Sequence, residues 1–185
     1  MNILNHPVFQ SVVLPLLLSL AVNGLWRVTI PRLQMLTPAL AVVLTLAFWP
    51  GLNWPVASRL HTLPWLAVCA FVLAAVLVVF NLPGSKPWSA RMGVLACTLV
   101  ALIGLSMVAW GGLGGSLMLA QFAAMLTTIA IAAAWPAWRQ QAMSWAGLLP
   151  MIVFAASVGL SLAWFLGVDP NALNADDPYF IPQWD

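Results

Sequence analysis

The side chains best suited to chemistry in this 185-residue sequence are two histidines and four aspartates. Imidazole and carboxylate groups bind metal ions, and a histidine can also ligate haem or chlorophyll. Their spacing matches no metal motif, and "DPNALNADD" has Leu173 where a calcium loop needs an oxygen ligand. We therefore interpret both histidines as solvated, with metal or pigment ligation as the alternative, and assign no cofactor. The residues concerned are His6, His61, Asp169, Asp176, Asp177 and Asp185.

The long apolar runs of the sequence contain few other reactive groups. No Asp, Glu, Lys, Arg or His lies clearly within them, whereas proton relays, ion-coupled carriers and membrane proteases usually need such a group. Isolated Ser and Thr hydroxyls can bond to their own helix. Asn23 and Gln121 are amides, and we predict hydrogen bonds between helices for both, worth about 1 kcal/mol each. Contact with a ligand is the alternative. This inventory favours a non-catalytic protein over an enzyme.

Composition shows what kind of elements must hold these residues. Hydrophobic residues make up 63% of the chain and charged residues only 5%. A charge at the centre of a bilayer costs at least roughly 3 kcal/mol, so a chain that crosses lipid repeatedly has few charges. Most of the eleven Trp stand at the ends of apolar runs, as in the aromatic belts of membrane proteins. The sequence therefore predicts an all-α, polytopic integral membrane protein.

Bilayer-spanning helices need about 20 apolar residues each. Breaks rich in Pro, Gly and polar residues divide the chain into six such helices in three hairpins, followed by an extended tail. The transmembrane domain is 1–168 and the tail is 169–185. The predicted helices are 7–25, 31–49, 64–82, 91–110, 116–136 and 143–166.

Residues within these helices lead to three further expectations. Pro15, Pro38 and Pro150 should lie well inside helices and kink them. Cys69 and Cys97 should be free thiols, because they differ in depth by about 14 Å at the helical rise per residue. Small residues should bring the fifth and sixth helices close together. Those small residues are Gly111 and Gly115, the run Ala130 to Ala134, and Ala155, Ala156, Gly159 and Ser161.

The basic residues predict an orientation. Five of the six Lys and Arg follow the first, third or fifth helix, and only Arg59 lies on the opposite face. Positive charge collects on cytoplasmic loops. Both termini should then be extracytoplasmic, in a bacterial inner membrane. The N-terminal "MNILNH" lacks the basic region and cleavage site of a signal peptide, so the first helix should be retained.

The C-terminal tail combines acidic, aromatic and proline residues. Its prolines discourage a seventh helix, and its large apolar side chains are costly to leave in water. We predict that the tail folds back on the bundle or binds another protein. The residues that would make this interaction are Tyr179, Phe180, Ile181, Trp184, Asp176 and Asp177.

Two functions from different classes are compatible with these features. The first is a non-catalytic accessory, structural or assembly subunit of a membrane complex. The alternative is a carrier or binding protein for a hydrophobic or uncharged molecule such as a lipid, quinone or pigment. The expected partners are membrane lipids and other membrane subunits. Nucleic acid is not expected, because the basic residues are few and scattered.

Overall fold

The computed structural model describes residues 6–29, 31–52, 59–83, 85–138 and 143–167, and this part of the chain is helical without strands. A π-helical turn, Phe9–Val13, precedes α1, and a 3₁₀ helix, Pro31–Leu36, precedes α2. After α2, the segment Ala47–Gly51 winds on until Trp49, whose extended backbone (φ −156°, ψ 127°) ends the helix. The α-helices are α1 (Leu14–Thr29), α2 (Thr37–Leu46), α3 (Arg59–Val79), α4 (Ala90–Leu113), α5 (Leu117–Trp138) and α6 (Trp145–Gly167).

Five helical segments of the described chain are long and apolar enough to cross a membrane. They are apolar on all sides, as expected where lipid rather than water surrounds a helix, and a helix satisfies its own backbone polar groups there. Phe9–Leu25 is a shorter apolar helix. The predicted all-helical architecture is thus confirmed for the described chain, and its long apolar helices are compatible with a membrane location. The five segments are Gln34–Gly51, Thr62–Val79, Ala90–Leu113, Leu117–Trp138 and Trp145–Trp164.

The prolines are accommodated in three different ways. Pro15 follows the π-helical turn Phe9–Val13, whose wider winding makes room for the ring. Pro150 lies inside α6, as predicted. The prediction for Pro38 was wrong, because this residue lies in the first turn of α2, where a missing N–H breaks no helical bond.

The start of α3 also differs from the prediction. The helix begins at Arg59 and includes Pro64, whereas the sequence placed its start at residue 64. Pro64 is the sixth residue of the helix and lies past its first turn, so its missing N–H removes one helical hydrogen bond. Because the helix begins at Arg59, the backbone of His61 belongs to α3 rather than to a preceding loop.

A glycine turn connects α4 to α5. Gly115 adopts a left-handed conformation, with φ of 79°, which favours glycine. The Ser116 N–H donates to the carbonyl of Gly111 at 2.9 Å, and the Gly115 N–H donates to Gly112 at 3.3 Å. This pair of bonds is the Schellman motif, which caps the last carbonyls of a helix. This turn lies at "WGGLGGS", between the predicted helices 91–110 and 116–136.

The helices do not pack simply in chain order. The most extensive contacts within the described residues are between α4 and α5 and between α3 and α6, whereas α3 and α4 are not extensively packed together. In the main core, the rings of Phe122 and Phe154 meet edge to face, with centroids 6.0 Å apart. The ring of Trp49 also packs against Phe122, with centroids 5.2 Å apart. These aromatic contacts join α5, α6 and the end of α2.

Candidate functional site at the basic end of the bundle

Of the two histidines and four acidic residues, the described structure includes the side chain of His6 alone. His6 is exposed, and its Nδ1 accepts a hydrogen bond from the Val8 N–H at 3.3 Å. The side chain of His61 and the whole tail, including Asp176, Asp177, Tyr179, Phe180, Ile181 and Trp184, lie outside what the structure describes. Within the described residues, no group of three or more His, Cys, Asp or Glu side chains could hold a metal ion.

The two predicted amides lie on different helices. Gln121 is half-buried on α5. The Oδ1 of Asn23 on α1 is buried and has no hydrogen-bond partner, so this atom does not make the predicted bond between helices within the described chain. One turn earlier on the same face, the buried Ser19 hydroxyl is also unpaired. This face of α1 therefore carries two buried polar atoms without hydrogen-bond partners in the described structure.

Most other hydroxyls bond to their own helix, as the sequence predicted. Each donates to a backbone carbonyl three or four residues earlier, at 2.7 to 2.9 Å. These bonds satisfy the hydroxyl without a ligand or a second helix. The residues are Thr45, Ser106, Thr127, Thr128, Ser157 and Ser161.

Contacts between distant segments also occur at the end of the bundle that carries Lys86 and Arg91, which we call the basic end. Here the segment before α4 is tied to the start of α6. The Trp88 N–H donates to the Met143 carbonyl at 2.6 Å, and the Trp88 ring meets that of Trp145 edge to face, with centroids 5.0 Å apart. Two connections that are distant in sequence are thereby held together beside the basic side chains.

A seam of small residues holds α4 against its neighbours at and beyond the basic end. A Cβ on Gly93 would lie 3.2 Å from that of Met143 and 3.3 Å from that of Ala137. One turn further along, the buried Cys97 thiol lies 3.8 Å from the Met143 sulfur. Both cysteines are free thiols, and Cys69 is exposed. Small side chains allow helices to approach closely where lipid removes the hydrophobic drive for association.

The α4 seam continues toward the glycine turn. A Cβ on Gly104 would collide with the Thr127 hydroxyl of α5, and one on Gly111 would lie 2.9 Å from the Ala120 backbone nitrogen. The sequence predicted close packing between α5 and α6 and singled out Gly111, but not the rest of this seam. The signal was present, because Gly93, Cys97, Gly104 and Gly111 repeat at four- and seven-residue spacing along one helix face.

A groove of about 590 Å³ lies beside this seam at the basic end. One wall is the outer face of the first turns of α4, and the other is Trp138, the last residue of α5. The Thr98 hydroxyl bonds to the Val94 carbonyl at 2.9 Å, so it is already satisfied. The groove is lined by Ala90, Arg91, Val94, Leu95, Thr98, Leu99 and Trp138.

The charge of the groove is positive. Arg91 is exposed, and Lys86 is exposed nearby in the preceding segment. All four carboxylates of the sequence lie in the tail, so no described residue is acidic. The N-terminus of α4 lies at the same place, capped by a bond from the Met92 N–H to the Ser89 hydroxyl at 3.4 Å, and its dipole adds to the positive potential.

Sequence reasoning placed Arg91 and Trp138 at the same membrane surface but did not bring them together. Arg91 lies at the start of α4 and Trp138 at the end of α5, so most of both helices and the glycine turn separate them in sequence. Aromatic and basic residues at helix ends were the available signal. No family model, curated protein or solved structure matches the chain.

Proposed function

We propose that the chain is a non-catalytic integral protein of a bacterial inner membrane that serves as an accessory, structural or assembly subunit of a membrane complex. The observation that supports this proposal most directly is how little of α4 is buried within the described chain. This 24-residue apolar helix buries only a narrow seam, Gly93, Cys97, Val100, Gly104 and Gly111. The large side chains on its other faces are exposed, among them Leu99, Leu102 and Ile103. Such a surface can pack against lipid or against a helix of another subunit.

The proposal includes six spans in three hairpins, with both termini and the tail extracytoplasmic. Helical backbone from Pro7 to Thr29 is about 34 Å long at the helical rise per residue, which supports a first span. The Met35 carbonyl lies against Gly147, which supports a position for the α1–α2 connection at the basic end. Arg27 lies near the end of α1 and Arg32 lies on the 3₁₀ helix that follows, so this arrangement supports the basic end as the cytoplasmic one.

Reporter fusions test this topology. A reporter after Arg139 should report the cytoplasm, and one after Asp185 should report the opposite side. The same reporter after Lys86 should agree with the Arg139 fusion and serves as an internal control. If the Asp185 fusion reads cytoplasmic, the proposed orientation is wrong.

Purification of the full chain in a mild detergent tests the accessory role. We expect other membrane proteins to co-purify in fixed stoichiometry. A photo-crosslinking residue at the exposed position Ile103 should form adducts with one of these proteins, whereas the same residue at the buried position Val100 should not. A chain that purifies alone and crosslinks only to lipid from Ile103 would contradict the proposal.

The groove at the basic end favours a second candidate, a binding protein for a hydrophobic molecule such as a lipid. Its volume of about 590 Å³ falls within the usual range for small-molecule sites, roughly 300–1,000 Å³. Retention of one lipid or pigment per chain after purification, without protein partners, would favour this function over the first.

A further inference from the structure

We propose that the groove between α4 and Trp138 is a binding site for one anionic phospholipid of the surrounding bilayer. Its phosphate would lie at Arg91, and its upper acyl chain would lie along Leu95 and Leu99. The inference rests on the proposed membrane location, but not on the accessory role.

The shape of the groove fits an amphipathic ligand with one polar end. Arg91, on the first turn of α4, lies at one end of the groove, and the lining then becomes apolar along the next two turns of the helix. The Thr98 hydroxyl donates a hydrogen bond to the Val94 carbonyl, so it is satisfied without a polar ligand. Polarity is therefore confined to the end nearest the membrane surface, where a lipid headgroup lies.

Charge complementarity selects an anionic occupant. Arg91 has no acidic partner among the described residues, since all four carboxylates are in the tail. An exposed guanidinium offers a planar set of donors that matches phosphate oxygens. Trp138 is 74% exposed, and an indole at the headgroup level is the usual position of Trp in membrane proteins. The groove thus offers a cation and an aromatic ring to a phospholipid headgroup and an apolar lining to an acyl chain.

Native mass spectrometry of the full chain in detergent tests the charge selection. The chain is titrated with phosphatidylglycerol or with phosphatidylcholine carrying the same acyl chains. We expect the first phosphatidylglycerol to bind about fivefold more tightly, which is the contribution of one basic residue near an anionic membrane surface. Arg91→Gln should reduce this preference to about one. Lys86→Gln makes the same change of charge outside the groove and should alter the preference by less than about twofold.

A second pair of variants tests the position of the acyl chain. Thr98→Phe places a ring in the groove at an exposed position and should weaken the first binding event for both lipids severalfold. Ser106→Phe is the matched control, because Ser106 is also an exposed hydroxyl of α4, bonded to Ile103 at 2.7 Å, but lies outside the groove. Its lipid binding should equal that of the unmodified chain.

Three results would overturn the proposal: equal affinity of the unmodified chain for both lipids, equal loss of preference in Lys86→Gln and Arg91→Gln, or equal weakening by Ser106→Phe and Thr98→Phe. Arg91 is exposed, so its substitution tests the site even if Thr98→Phe fails to fold. Reconstitution into phosphatidylcholine bilayers separates this test from the function proposed above. A chain that does not enter them refutes the membrane location, whereas one that enters but shows no preference refutes only the lipid site.

Discussion

Gly104 brings the backbones of α4 and α5 together because it has no Cβ. Alanine here would collide with the Thr127 hydroxyl, which is held by its own bond to the Ala123 carbonyl at 2.9 Å. We expect Gly104→Ala to lower the free energy of unfolding by about 1–3 kcal/mol, the usual cost of overpacking. Denaturation by sodium dodecyl sulfate, followed by circular dichroism, would measure this change.

Gly112→Ala on the same helix is the control for this prediction. A Cβ there would meet nothing within 4 Å. Because alanine favours the helix over glycine by about 1 kcal/mol, this variant should be as stable as the unmodified chain or more stable. Equal destabilisation by the two substitutions would show that close approach at Gly104 does not hold α4 and α5 together.

The unpaired hydroxyl of Ser19 predicts that its removal does not lower the stability of the protein. Ser19 is 5% exposed, and its Oγ has no hydrogen-bond partner. Ser19→Ala removes a buried polar atom that gains nothing, so we expect unchanged stability or a gain of up to about 1–3 kcal/mol. Ser157→Ala removes a hydroxyl bonded to the Val153 carbonyl at 2.8 Å and should cost about 1 kcal/mol.

The same unfolding assay compares these two serine variants. A lower stability for Ser19→Ala than for Ser157→Ala would indicate that the Ser19 hydroxyl is used by the protein. Together with Asn23 on the same face of α1, it would then become a candidate polar contact for another molecule.

At the scale of the elements, the existence of the helices was predictable and their partners were not. Apolar runs and Pro or Gly breaks depend on local sequence, so all six predicted helices correspond to helical segments of the described chain. The pairing of α3 with α6 depends on contacts between distant residues such as Leu36, Ala74 and Ala146, which share one buried cluster. Local periodicity carries no information about which apolar face meets which.

The groove could not be predicted from the sequence, for the same reason. Arg91 and Trp138 could each be predicted to lie at a helix end, because basic and aromatic residues collect there. Their arrangement around a groove depends on how closely α4 approaches its neighbours. That approach is set by small residues outside the groove, such as Gly93 and Ala137. A site built from helix spacing is therefore harder to read from sequence than one built from a contiguous motif.

The contact between the α3–α4 connection and the start of α6 predicts a role for Trp88. Trp88→Ala removes the edge-to-face contact with Trp145 and leaves the Met143 region less covered. We expect a loss of about 2 kcal/mol in the free energy of unfolding, below the 3–5 kcal/mol typical of a fully buried Trp, because Trp88 is only half-buried.

Limited proteolysis locates this effect. Cleavage should increase first in the segment around Lys86 and Arg91. Trp110→Ala is the control, because Trp110 is 63% exposed and lies at the opposite end of α4. Its cleavage pattern should match that of the unmodified chain. Faster cleavage of both variants at the same bonds would argue against a specific connection through Trp88.

At the scale of the whole molecule, positive and negative charge are separated along the chain. The tail holds all four carboxylates, whereas Lys86 and Arg91 lie at the basic end. With the proposed topology, the tail lies on the opposite side of the membrane from the basic end. Its carboxylates would then attract a basic surface of another protein, or Arg59, the one basic residue predicted on that face.

Removal of the tail after Gly167 tests whether it determines interactions. Burial of Tyr179, Phe180, Ile181 and Trp184 would be worth several kcal/mol at roughly 25 cal/mol per Å², and the prolines lower the entropy lost on ordering. We therefore expect the shortened chain to insert normally but to lose a co-purifying partner or bundle stability. Loss of the partner alone indicates a docking segment, and loss of stability in the isolated chain indicates a cover over the bundle.

A full-length variant with alanine at Tyr179, Phe180, Ile181 and Trp184 removes the large apolar side chains of the tail but keeps its charges. A second variant with asparagine at Asp176 and Asp177 removes two charges but keeps the apolar side chains. If hydrophobic burial orders the tail, the alanine variant should reproduce the truncation, whereas the asparagine variant should retain the interaction at low salt and slow its formation. Unchanged insertion, stability and co-purification in the truncated chain would refute an interacting tail. Because long-range attraction is screened within about 8 Å at physiological ionic strength, the charges can guide an encounter, and the apolar side chains must hold it.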